Sequence, residues 1–185
     1  MVSINTRTTK TVFKIFLAWQ DQKEEKWLEE MASRGWFLDK VSPYLYSFRK
    51  AEPQKVVYRL DYKNSFAQDY AEYLSLFKDS NWQLVGMFSN WHYYMTTVND
   101  QNSPEIFNSD RSRAQKYRRM LYFLVPLGLL IVSPAINLFN FASYRPFDVA
   151  MIFTKGFYAL AVILYIYCII RVLIKVRQLE SNTSE

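Results

Sequence analysis

Two long stretches of this chain carry almost no charge, and they limit its fold more than any other feature. Residues 120–144 contain no Asp, Glu, Lys or Arg, and residues 149–170 contain only Lys155. Each run has about 20 residues or more, enough at ~1.5 Å rise per residue to cross ~30 Å of hydrocarbon. They predict two transmembrane helices, at 120–144 and 149–171, joined by a short Asn- and Pro-containing turn. Pro126 and Pro134 each remove a backbone donor from the first helix. Lys155 lies near the start of the second, where its stem can snorkel to the interface.

The flanks set an orientation. Arg111, Arg113, Lys116, Arg118 and Arg119 precede the first run, and Arg171, Lys175 and Arg177 follow the second. The turn between them holds only Arg145. Positive flanks stay cytoplasmic, so both termini are expected inside and the turn outside. The basic segment 109–119 is expected to be a juxtamembrane helix, and 172–185 a cytoplasmic tail. This collar also explains the net charge of +6. Residues 1–100 hold 13 Lys+Arg against 12 Asp+Glu, so the basic excess belongs to the membrane boundary. A near-neutral soluble part argues against nucleic acid and for the lipid bilayer as a partner.

With one Cys and one His in 185 residues, no disulfide framework or multi-residue metal site is expected. Four glycines without a Gly-rich run leave no phosphate-cradling loop. No catalytic constellation stands out, so neither cofactor nor enzymatic activity is expected. The N-terminal stretch VFKIFLAW is short, broken by Lys14 and without a small-residue cleavage site, so it reads as a strand rather than a signal peptide.

The first hundred residues contain a duplication. WLEEMASRGWFLDKVSPYLYSFRK (27–50) aligns with YLSLFKDSNWQLVGMFSNWHYYMT (73–96) at a constant offset of 46 residues. Leu28 meets Leu74, Met31 meets Phe77, Gly35-Trp36 meets Asn81-Trp82, and Phe48 meets Tyr94. Two copies make a duplicated unit rather than a solenoid. Each copy, at about 11–50 and 55–97, reads strand–helix–strand–strand. The first strand is expected over 12–19, with Phe13, Ile15, Leu17 and Trp19 on one side. Asp21 with Glu24, and Ser65 with Gln68, offer capping boxes. The first helix sets Trp27, Leu28 and Met31 against a charged face of Glu25, Lys26, Glu29 and Glu30. Strands follow at 36–42 and 44–50, then 55–62, a helix to Ser80, and strands at 82–88 and 91–97. The fold class expected is therefore α+β. A duplicated β-α-β-β unit with a mainly antiparallel sheet and helices on one face occupies 1–97. A polar linker (98–108) and a two-helix transmembrane hairpin follow.

The aromatic residues are the strongest binding signal. Most belong to a core, but aromatic concave sites also suit flat or cationic compounds. Tyr58, Asp61, Trp82, Trp91 and Tyr93 are the candidate ligand-binding residues, with Asp61 as the anion. Arg59 is its alternative ion-pair partner. His92 is read as a strand residue that matches Tyr46 across the repeat.

EEKWLEEMASRGW, VVYRLDY, SNWQLVGMFSNWHYY and EIFNSD, in this order and spacing, resemble the domain of unknown function 2812 family of Gram-positive bacteria. The likeness spans roughly residues 11–120, and the two-span tail also fits. Members are often encoded beside PadR-like regulators, which implies a role near stress or drug response. The family commonly has an acid after the first strand's apolar run. Ala18 stands there in this chain, and Asp61 fills the matching place in the second copy. The doubled plan is also similar in outline to gyrase-inhibitory-protein-like ligand-binding domains, which hold bulky, often cationic compounds in an aromatic cleft between their two units. That analogy rests on topology alone.

Together these readings predict a bacterial multi-pass membrane protein: a non-enzymatic sensor or regulatory adaptor that binds a partner protein or a bulky hydrophobic or cationic ligand. The alternative is a small accessory subunit of a transporter or other membrane assembly. Either is compatible with a homo-oligomer.

Overall fold

The computed structural model describes residues 4–98, 110–141 and 149–181. The linker beyond residue 98 and the turn at 142–148, with Arg145, lie outside the described residues. The chain divides into two units, Met1–Asn108 and Ser109–Glu185.

The first unit is α+β. Its elements are β1 (Ile4–Phe13), α1 (Asp21–Ser33), β2 (Trp36–Ser42), β3 (Leu45–Ala51), β4 (Val56–Tyr62), α2 (Tyr70–Asp79), β5 (Gln83–Phe88) and β6 (Trp91–Thr97). They form two three-stranded antiparallel sheets, β1-β3-β2 and β4-β6-β5, instead of the single sheet expected. Both sheets place their strands in the same order: first, third, second. Each helix also ends on a left-handed residue at matched positions, Gly35 (φ 80°) and Asn81 (φ 63°). A Cβ on Gly35 would lie 2.5 Å from the Ala51 carbonyl oxygen, so only glycine fits there.

The helices do not share one face. Leu28, Met31 and Ala32 of α1 enter the main core with Leu38, Val41 and Phe48 of one sheet and Val56, Tyr58, Leu60, Tyr93 and Met95 of the other. The opposite face of the second sheet packs Val57 and Tyr94 against Phe77 of α2, with Trp82 and Tyr73. The two sheets meet across β2 and β5, where Gly86 leaves room for the Val41 and Leu38 side chains.

Three local expectations are corrected. The first strand lies earlier than 12–19. Phe13 pairs with Leu45, the first residue of β3, and the strand ladder ends there, with one further bond from Lys14 N–H to the Tyr44 carbonyl. The chain then turns, with Leu17 N–H donating to Gln20 Oε1 (3.1 Å). The inward residues are Val12 and Phe16, whereas Phe13, Ile15 and Leu17 are exposed. Neither capping box forms. Gln20 and Asp69 occupy the N-cap positions, without a side-chain cap bond. The charged face of α1 is not wholly solvated. Glu25 accepts the Leu60 N–H (2.8 Å) and Glu29 the Tyr58 N–H (3.1 Å). These donors lie on the open edge of β4, and two carboxylates of α1 cover them.

The second unit consists of α3 (Asp110–Phe141) and α4 (Val149–Ser181). α3 starts in the basic segment, continues through Pro126 and Pro134, and carries the first uncharged run. The helices pack together. Gly128 admits the Tyr165 ring, whose hydroxyl donates to the Leu124 carbonyl, and Arg118 pairs with Glu180 at 2.6 Å. Met151–Ser181 is long and apolar enough to cross a membrane, and almost none of its apolar window is buried. It is the one candidate span among the described residues.

Candidate functional site

The repeat offset places two equivalent helix–strand hydrogen bonds. In the first copy Tyr46 of β3 donates to Glu24 of α1 (2.7 Å). Adding 46 to both numbers gives His92 and Tyr70, whose Nε2 and hydroxyl lie 2.8 Å apart. The neighbouring rings repeat as well. Trp27 meets Tyr46 edge-on at 5.0 Å, and Tyr73 meets His92 edge-on at 5.7 Å. The backbone scaffold is the same, but a carboxylate–phenol pair has become a phenol–imidazole pair.

The first copy's pair lies in a concave site. A cavity of about 250 Å³ opens between the β1–α1 connection, the start of α1, the β2–β3 turn and the β5–β6 hairpin. Its wall contains Phe16, Tyr44, Tyr46, Phe88, Trp91 and Tyr93, together with the buried carboxylates of Asp21 and Glu24. No Lys, Arg or His is among its described lining residues. Glu24 Oε1 accepts from both Tyr46 (2.7 Å) and Tyr93 (2.7 Å), so one carboxylate ties α1 to strands of both copies. Burial, and secondarily the Glu24 charge, push both phenols well above their usual value, so they remain donors at neutral pH. Outside the lining, Lys14 Nζ lies 5.6 Å from the Phe16 ring centre and 4.9 Å from that of Trp27.

In the second copy's pair the imidazole is buried and Tyr70 is half-buried. Asp61 and His92 are opposite partners on β4 and β6, and both are buried. Tyr73 of α2 donates to Asp61 Oδ2 (3.0 Å), and Tyr70 reaches His92. His92 Nδ1 lies 3.1 Å from the Asn90 carbonyl oxygen, a contact that assigns the proton to Nδ1 and leaves Nε2 to accept from Tyr70. Arg59 does not pair with Asp61. It turns to Glu29 (3.3 Å) and Glu25 (3.8 Å) of α1.

The five candidate ligand residues therefore separate. Trp91 and Tyr93 line the cavity. Tyr58 is in the core, where its hydroxyl accepts the Leu38 N–H (3.3 Å) and burial pushes it up to about 12. Asp61 lies behind α2, and Trp82 borders a wider depression of about 570 Å³ that has Lys78 and no acid. Sequence reading missed Glu24 as a site anion because it was assigned to a capping box. The available signal was its match with Tyr70 alongside the match of Tyr46 with His92.

A model of a family described as "Protein of unknown function (DUF2812)" matches residues 20–129. The chain belongs to the DUF2812 family. The match begins at the N-terminus of α1, takes in both copies from there on, and ends within α3. It thus includes Glu24, Tyr46, Trp91 and Tyr93, while Phe16 and Ala18 precede it. No curated protein and no solved structure matches the chain, and the likeness to gyrase-inhibitory-protein-like domains remains one of topology. Among the described residues no His, Cys, Asp or Glu cluster could hold a metal ion.

In the collar, Arg118 pairs with Glu180, Lys116 is buried, and Arg171 and Arg177 are exposed. Arg113, Arg119 and Lys175 are half-buried, and the Arg111 side chain lies outside the described residues.

Proposed function

We propose that this DUF2812 protein is a membrane-anchored, non-catalytic sensor or regulatory adaptor whose α+β unit binds bulky hydrophobic cations. The observation that carries the reading is the cavity at Glu24: six aromatic side chains, two carboxylates and no base among its described lining. A cation there gains ring quadrupole attraction and a negative field, whereas an anion would face two buried carboxylates. A carboxylate shared by both copies also suits a sensor, because a ligand that draws on Glu24 loads the contact joining them.

The anchor in this proposal is a hairpin of α3 and α4, with the basic flanks and both termini cytoplasmic and the 142–148 turn outside. The uncharged run in α3, the apolar α4 and the basic residues at their flanking ends support it.

The test is a titration of the full chain in detergent micelles with tetraphenylphosphonium, read by Trp fluorescence. Saturable quenching is expected. It should weaken about tenfold in Glu24→Gln, equivalent to ~1.4 kcal/mol, and lose amplitude in Trp91→Phe. Absence of saturation across hydrophobic cations, or the same affinity in Glu24→Gln, would overturn the cation site. A topology reporter placed after Pro146 should read outside; a cytoplasmic reading would overturn the hairpin.

A further inference from the structure

The mouth of the cavity is apolar in a way that its interior does not require. Phe13 is 67% exposed, Ile15 55% and Tyr44 54%, and Leu17, Leu45 and Phe88 also face solvent. These residues are contiguous. Phe13 pairs with Leu45 across the sheet, and its ring centre lies 6.4 Å from that of Tyr44. Lys14 N–H donates to the Tyr44 carbonyl (2.8 Å). Leu17, Tyr44 and Phe88 also line the cavity, and each is partly exposed to solvent. Exposed apolar groups gathered around one opening mark an interaction surface rather than scattered surface hydrophobes.

We infer that this rim docks on the bilayer interface, so that the cavity opens toward the headgroup region and takes up amphiphilic cations already dissolved in the leaflet. Three observations favour lipid as the occupant. The same chain carries a helix long and apolar enough to cross a membrane. The rim combines aliphatic tips with Tyr and Phe, side chains suited to the interface. Lys14, between the exposed Phe13 and Ile15 and bonded through its N–H to Tyr44, sets a basic side chain beside the rim for anionic headgroups. The inference rests on the membrane-anchored cation-site reading and adds the route by which the ligand arrives.

The experiment uses the full chain with Cys168→Ser, reconstituted in nanodiscs of mixed phosphatidylcholine and phosphatidylglycerol. An environment-sensitive fluorophore is attached at Ile15→Cys or Tyr44→Cys, and at Glu72→Cys on the exposed side of α2 as control. Docking predicts blue-shifted emission at 15 and 44 and its loss when brominated lipid is included, with the label at 72 unaffected. A blue shift without quenching by brominated lipid would mean that a second copy or another protein covers the rim, and would overturn the proposal. Emission typical of water at 15 and 44, or equal quenching at 72, would overturn it as well.

The tetraphenylphosphonium titration in micelles separates the two readings. Saturable Trp quenching without lipid quenching of the labels removes the docking surface and leaves the cation site. Labels quenched by lipid without a Trp response remove the cation site.

Discussion

The two copies of the repeat differ most where they correspond most closely. Glu24–Tyr46 and Tyr70–His92 are the same helix–strand hydrogen bond 46 residues apart. The first bond lines a cavity and recruits Tyr93 from the other copy. In the second, His92 is buried beside Asp61 and Tyr73, while Tyr70 is half-buried. Duplication supplied two equivalent positions: the first holds a carboxylate on a cavity wall, the second a buried imidazole. The helices follow the same division. α1 packs into a core drawn from both sheets and also covers the β4 edge, whereas α2 packs mainly against one face of its own sheet.

This asymmetry can be broken by matched substitutions. The largest effect is expected at Leu28, fully buried in α1, where Leu28→Ala should cost about 3–5 kcal/mol. The matching Leu74→Ala, at a half-buried position in α2, should cost about 1 kcal/mol by chemical denaturation. Equal losses would show that the two helices contribute alike. Next is the edge cover: Glu25→Ala leaves the Leu60 N–H without its carboxylate, at about 1–3 kcal/mol. The equivalent residue of α2 is already Ala71, so Ala71→Glu should gain nothing; differential scanning calorimetry reads both.

Smaller effects sharpen the comparison of the paired bonds. Tyr46→Phe removes a bond to a carboxylate and should cost about 1.5–3 kcal/mol, whereas Tyr70→Phe removes a neutral pair worth about 0.5–1.5 kcal/mol. Reversal of that order, measured by urea denaturation, would contradict a charged Glu24. The smallest effect appears only in alkali. Burial raises the folded-state values of Tyr46 and Tyr93 above the ordinary 10.0. Their contribution is thus fully present below pH ~10 and falls as the unfolded chain's phenols ionise above it. Tyr46→Phe should flatten that loss, as read by midpoint shifts between pH 9 and 11.

Much of the fold was legible in sequence because strands and helices impose short periods on apolar residues. The constant offset gave the order of elements and aligned Gly35 with Asn81, the left-handed residues that follow the two helices. The exceptions had physical causes. Alternation over 13–19 looked like a strand, but β3 begins at Leu45 and the ladder ends at Phe13. Glu25 and Glu29 looked solvated because their acceptors' partners lie on β4, 35 and 29 residues away. Trp91 and Tyr93, chosen for their aromatic character, do line the cavity. Asp61 was chosen for its charge, but pairing along β6 and the packing of α2 placed it behind the helix.

Charge-free length and a 46-residue repeat were enough to divide this chain into a folded α+β part and an apolar helical part, because both properties are local in sequence. Which acid faces the cavity was decided only when the chain closed on itself. Tyr93 reaches Glu24 across 69 residues, a contact with no period to announce it. Burial between two copies set one of several glutamates on α1 between two tyrosines in the aromatic wall of a cavity.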